Sequence, residues 1–136
     1  SPGIRPGDIP TGDLFLWSPE ERVRQLFADR TIAEQVLARP PAPGQADVAL
    51  KNWFTTAKLS WEPRWFDPHL HKWLHRLRLP VHVVWGDTDR LFPAEYGRRL
   101  ASLIPGARFS LIERCGHLPQ VERPERLRSL LLEGWT

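Results

Sequence analysis

The chain has 136 residues, 41% hydrophobic and 26% charged, with 19 Lys+Arg against 16 Asp+Glu and a net charge of +3. That length suits one domain or part of one, and the scattered cations form no basic block, so neither a nucleic-acid nor a membrane-surface partner is expected. No apolar run approaches the roughly 20 residues of a membrane span, and the single Cys115 excludes an intrachain disulfide framework and leans towards a cytoplasmic location.

Residues 1–13 carry three prolines and three glycines, with no charged-plus-apolar leader, and read as irregular chain. The absence of methionine leads us to expect a further segment ahead of Ser1. Ser18, Pro19 and Glu21 have the spacing of a capped helix start. Val23, Leu26 and Phe27 then give one apolar stripe. Thr31 and Glu34 predict a second capping box leading Ile32, Val36 and Leu37, and Arg39-Pro40-Pro41-Ala42-Pro43-Gly44 ends that helix. A third helix is predicted from about Asp47 to Leu59. Trp61 to Phe66 reads as extended or turn, broken by Pro63. Asp67-Pro68 opens a short fourth helix bearing Leu70, Trp73, Leu74 and Leu77.

At Pro80 the pattern changes. Val81 to Trp85 is a compact, largely β-branched run closed by Gly86-Asp87, the mark of a buried strand. Pro93 to Ile104 has helical spacing and Pro105-Gly106 stops it. Arg108 to Glu113 alternates as a strand, with Phe109 and Leu111 on one face. A loop Cys115-Gly116-His117-Leu118-Pro119 follows. Pro124 opens a final helix with Leu127, Leu130 and Leu131, ending near Gly134. The fold class is therefore α/β, with helices and loops over 1–79 and a β-α-β-α unit over 80–136.

A strand–helix–strand unit of this size is right-handed with parallel strands. The carboxyl ends of both strands then lie on one edge of the sheet, where such sheets bind ligands. Asp87 and Asp89 leave the first strand and His117 leaves the second. Neighbouring strands lie about 4.8 Å apart, so a carboxylate and an imidazole come within bridging reach. The carboxylate would fix the tautomer of the ring and stabilise its cation, making His117 a general base near neutral pH. The plainer alternative is a surface Asp and a loop His that never meet.

Residues 80–136 resemble the C-terminal part of an α/β-hydrolase. Trp85-Gly86-Asp87-Thr88-Asp89, followed by Pro93, is similar to the family's G-x-x-D segment, whose Asp is the triad acid; the resemblance maps that role to Asp89. Gly116-His117-Leu118-Pro119 with Glu122-Arg123-Pro124 resembles the G-H-x-P-x-x-E-x-P segment, whose His is the triad base, mapping to His117. Residues 1–79 resemble in position the helical cap or lid of this family, and 80–136 the last part of its core. The G-x-S-x-G nucleophile elbow is absent: none of Ser1, Ser18, Ser60, Ser102, Ser110 and Ser129 has the flanking glycines.

The resemblance thus implies a hydrolase of carboxylic esters or related acyl substrates with a Ser-His-Asp mechanism and no cofactor or metal. This chain would supply His and Asp. The Ser nucleophile would come from an N-terminal hydrolase portion or from a second copy of this chain. The expected substrate is small, apolar and ester-like. Two alternatives stand beside it: a carbon–carbon bond hydrolase, weakened by Leu118 where an aromatic residue commonly follows the His, and a non-catalytic dimerising or binding remnant. A two-stranded parallel sheet wants further strands and both faces covered. Val81 to Trp85 is too apolar for an exposed edge, so pairing with another chain is expected.

Trp53, Trp61 and Trp65 are candidates for an aromatic wall over the substrate, against the alternative that they pack small helices. Phe92 and Leu118 flank the presumed site. His71 and His75 stand at the i, i+4 spacing of a metal pair on a helix, but no carboxylate or thiol completes a set, and a polar helix face is the simpler reading. Cys115, two residues from His117, is a candidate thiol nucleophile, against the simpler reading that adjacent loop side chains point apart. Glu122 is expected to tether the last helix.

Overall fold

The computed structural model describes residues 3–133. Helix α1 spans Pro19–Leu26, and its start follows the sequence: Ser18 Oγ accepts from the Glu21 amide at 3.1 Å with proline at the first helical position. Helix α2 spans Arg30–Leu37 and starts differently from expectation. Its cap is Asp29, whose Oδ1 accepts from the amides of Thr31 at 2.8 Å and Ile32 at 3.4 Å. Thr31 is therefore already helical, and Glu34 bonds Arg24 of α1 at 2.7 Å instead of closing a box. Helix α3 spans Gln45–Ser60, entered through Gly44 at φ 75°, a left-handed conformation that glycine takes at little cost.

The expected helix after Asp67-Pro68 is two 3₁₀ turns, Leu70–Lys72 and Leu74–Arg76. Each is closed by a bond spanning three residues, Trp73 N to Leu70 O at 3.0 Å and Leu77 N to Leu74 O at 3.2 Å. Two tight turns suffice to bury Leu74.

Strand β1 is His82–Gly86 and strand β2 is Arg108–Ile112, paired in parallel from His82↔Arg108 to Gly86↔Ile112. The first strand begins one residue later than its apolar run, although Val81 O still accepts from Arg108 N at 2.9 Å. Helix α4, Ala94–Ser102, makes the crossover. It lies close to the sheet because position 97 has no side chain: a Cβ on Gly97 would fall 2.6 Å from the Trp85 ring. A short helix α5, Pro119–Glu122, which the periodicity does not announce, precedes α6, Pro124–Glu133. The expected helix end near Gly134 lies outside the described residues.

Alternation along β1 sends Val83 and Val84 to opposite faces, and each face has its own core. Val83 joins Leu91, Phe92, Tyr96, Ala101 and Ile104 together with Ile4, Ile9, Trp65 and Leu74 from the earlier chain. Val84 packs with Ile112, Cys115, Leu127 and Leu130 under α6. Both faces are covered, as a parallel sheet requires. Tyr96 is buried and its hydroxyl donates to Ile4 O at 2.8 Å, which fastens the start of the chain onto α4.

Candidate active site

Two loops leave the carboxyl ends of β1 and β2 and run on together. Asp87 N donates to Ile112 O and Thr88 N to Cys115 O, both at 3.0 Å, so the ladder continues two rungs past the strands. Gly86 makes this possible: a Cβ there would lie 2.8 Å from the Cys115 carbonyl carbon, with the Gly116 oxygen closer still. The loops bring Asp89 and His117 together across 28 positions. His117 Nδ1 lies 2.9 Å from Asp89 Oδ2.

The two oxygens of Asp89 have different work. Oδ1 accepts from the amides of Leu91 at 2.9 Å and Phe92 at 3.0 Å, the fold-back of an Asx turn. That fixes the carboxylate and leaves Oδ2 for the imidazole. The Asp89 side chain is 3% exposed and that of His117 30%. An ionised carboxylate only accepts, so the hydrogen between them sits on Nδ1 and the lone pair of the neutral ring is on Nε2. Among the described residues, no hydroxyl bonds to that nitrogen. Ser18 caps α1, Ser110 Oγ lies 2.9 Å from His82 Nε2, and Ser102 and Ser129 return to carbonyls one turn earlier. The ring of Phe92 stands beside the imidazole, centroids 6.0 Å apart, and Trp85 Nε1 holds the Phe92 carbonyl at 2.7 Å.

Asp87, the other acid the spacing allows, is used by the backbone. Its Oδ1 takes the Thr88 hydroxyl at 2.6 Å and the Cys115 amide at 3.2 Å. Burial pushes its carboxyl up, but these hydrogen bonds outweigh that and hold it below the usual carboxylate range. Cys115 is fully buried, and desolvation with the nearby Glu122 pushes its thiol up to about 12. A thiol in that state is not a nucleophile near neutral pH.

Glu122 does something other than tether the last helix. It is 5% exposed, and its carboxylate accepts from the Asp29 amide at 2.8 Å and from the Gly116 amide. It joins the His117 loop to the turn between α1 and α2. Its sequence signal is its place as the acid of the G-H-x-P-x-x-E-x-P segment, just before the proline-opened α6. The His117 amide also donates to Leu26 O at 2.8 Å, a main-chain contact with no sequence signature.

The tryptophans gather around Phe15. Its ring stacks on Trp65 at 4.7 Å and meets Trp53 at 5.0 Å and Trp61 at 5.3 Å. Trp65 is buried with Nε1 on Asp13 at 3.1 Å, Trp53 is half-buried under Arg22, and Trp61 is exposed. Leu118 is half-buried beside His117, and its carbonyl caps α5 by accepting from the amides of Val121 and Glu122. His71 and His75 fall in separate 3₁₀ turns, so the helical spacing that would pair them is absent. No group of three metal-ligating side chains occurs among the described residues.

The sequence profile of the alpha/beta hydrolase fold family matches residues 42–124, which include both loops. This chain belongs to the α/β-hydrolase fold family. Within the family it is 37% identical over 75 residues to a 2-hydroxy-6-oxononadienedioate/2-hydroxy-6-oxononatrienedioate hydrolase of Paraburkholderia phymatum, covering 55% of this chain and 26% of that protein. It is 30% identical over 64 residues to a monoacylglycerol lipase of Bos taurus, covering 47% of this chain and 19% of the lipase. The solved structure of a meta-cleavage product hydrolase, CumD, superposes over 98% of this chain and 52% of its own, with a TM-score of 0.70 at 24% identity, a likeness of fold. The chain spans about a quarter of the length of the first of these α/β-hydrolases.

Proposed function

We propose that this chain supplies the base and the acid of a Ser-His-Asp hydrolase acting on carboxylic esters or related acyl substrates. The nucleophilic serine would come from hydrolase sequence outside these residues or from a second copy. The observation that carries the reading is the bond between His117 Nδ1 and Asp89 Oδ2, which leaves Nε2 as the basic nitrogen. In the reaction Nε2 takes the proton of the serine hydroxyl as Oγ attacks the carbonyl carbon. It then gives that proton to the leaving alkoxide as the acyl-enzyme forms. Water, deprotonated by the same nitrogen, releases the acid product. Asp89 stays ionised, holds the ring and stabilises the imidazolium. Phe92 and Leu118 flank the reacting position. Trp53, Trp61 and Trp65 would serve one step further out, as part of a helical cap over an apolar substrate.

A second reading, hydrolysis of a carbon–carbon bond beside a ketone, is favoured by the 37% identity to a hydrolase of 2-hydroxy-6-oxo dienedioates. The same base and acid serve both. The test is turnover of p-nitrophenyl butyrate and of a 2-hydroxy-6-oxo dienedioate by the intact protein, beside His117→Ala and Asp89→Asn. We expect ester turnover that falls by roughly 10³–10⁴-fold in each variant. Turnover of the dienedioate alone would select the second reading. Activity that survives both substitutions would overturn the assignment, and no turnover at all would leave the binding role. A fluorophosphonate adduct on a serine among these residues would overturn the reading that the nucleophile lies in hydrolase sequence outside them.

A further inference from the structure

The proposed chemistry needs two loops in register, and both loops end on the same short stretch between α1 and α2. From the base loop, the His117 amide donates to Leu26 O at 2.8 Å, while the Glu122 carboxylate receives the Asp29 amide at 2.8 Å and the Gly116 amide. Gly116 lies flat against this stretch: a Cβ there would meet the Ala28 nitrogen at 2.8 Å and Glu122 Oε2 at 2.9 Å. From the acid loop, Arg90, the neighbour of Asp89, donates through Nη1 to Phe27 O at 3.0 Å. Adjacent carbonyls, Leu26 and Phe27, thus receive the two loops that carry base and acid.

We propose that residues 26–29 are the platform that sets the base against the acid, and that Glu122 is the positioning residue that fastens the His117 loop to it. The inference rests on the reading of His117 as base. The amide that Glu122 holds belongs to Gly116, one residue before the imidazole, so a rotation there swings the ring away from Asp89 Oδ2. Charge-assisted bonds to a buried carboxylate are strong, and each amide left without an acceptor costs its full desolvation. A carboxamide at this position offers one acceptor and one NH₂ donor. It can satisfy only one of the two amides and must turn its donor on the other.

The experiment is proton NMR of the intact protein, following the His117 Nδ1–H resonance that the Asp89 carboxylate carries far downfield. Its presence in the wild type and loss in Asp89→Asn establishes the pair; its absence from the wild type would sink the base assignment itself. With the pair established, Glu122→Gln is expected to broaden or abolish the resonance and to lower kcat by roughly 10²-fold with KM little changed. Glu122→Asp should recover part of both, and Glu125→Gln on the exposed face of α6 should change neither. A Glu122→Gln protein that keeps the resonance and kcat overturns the proposal. Should that variant not fold, the wild type decides. Hydrogen exchange of the wild-type Asp29 and Gly116 amides should be slowed together, and fast exchange at either one overturns the shared clamp.

Discussion

Asp87 and Asp89 are two residues apart and differ in everything that matters for chemistry. Asp87 spends its carboxylate on Thr88 and the Cys115 amide. Asp89 spends one oxygen on its own turn and aims the other at His117. Strand spacing brings both within reach of the imidazole, and it is the Asx turn at Leu91 and Phe92 that separates them. The periodicity places both carboxylates and the histidine on one sheet edge, whereas hydrogen bonds to backbone amides are invisible in it. Cys115 gives a test at the same scale. Its thiol is raised to about 12 in the folded protein, against about 8.5 in an unfolded chain. Below the unfolded value the thiol is neutral in both states. Above it only the unfolded chain ionises, so stability falls as pH climbs from about 8.5 towards 12. Native protein at pH 8 should therefore react with an aromatic disulfide reagent far more slowly than denatured protein. Equal rates would show that the loop does not bury it.

The elements form where local chemistry and packing agree. The capped start of α1, the crossover α4 and the parallel pair were legible because their signals are local: a Ser-Pro-x-Glu start, an apolar stripe, a β-branched run. The start of α2 was not. Asp29 caps the amides of Thr31 and Ile32, two residues ahead of the box that Thr31 would open, so the helix starts at Arg30 and Thr31 falls inside its first turn. The expected fourth helix is two 3₁₀ turns, Leu70–Lys72 and Leu74–Arg76, and nothing in its apolar spacing announces the break. Gly97 has no legible signal at all, since a glycine in a helix is explained only by what crosses over it. Replacing it with alanine should lift α4 from Trp85 at a cost of about 1–3 kcal/mol, read as a lowered urea midpoint. An unchanged midpoint would mean that Trp85 gives way freely.

At the scale of the whole molecule, the described surface carries many large apolar side chains. Leu50, Phe54 and Leu59 on α3 and Leu131 and Leu132 on α6 are all exposed. The sheet has two strands, each with one edge unpaired among the described residues. Proteins cover such surfaces and edges. This chain alone, examined by sedimentation velocity, should therefore self-associate as its concentration rises through the micromolar range. A sharp monomer boundary throughout would show that these surfaces are tolerated in water. The size of the apolar runs announced this shortfall of cover, but not which helices would bear it.

The Glu122 clamp has a consequence in time as well as space. Its two ends, Asp29 and Glu122, are 93 positions apart in the chain. A ribosome adding about 5–20 residues per second makes the platform roughly 5–20 s before the carboxylate that holds the base loop to it exists. His117 itself emerges within that same late stretch. During synthesis the acid turn at Asp89 closes on neighbouring residues, while the base waits for α5 to form. The clamp can therefore hold the imidazole to its carboxylate only once the chain has been made past Glu122.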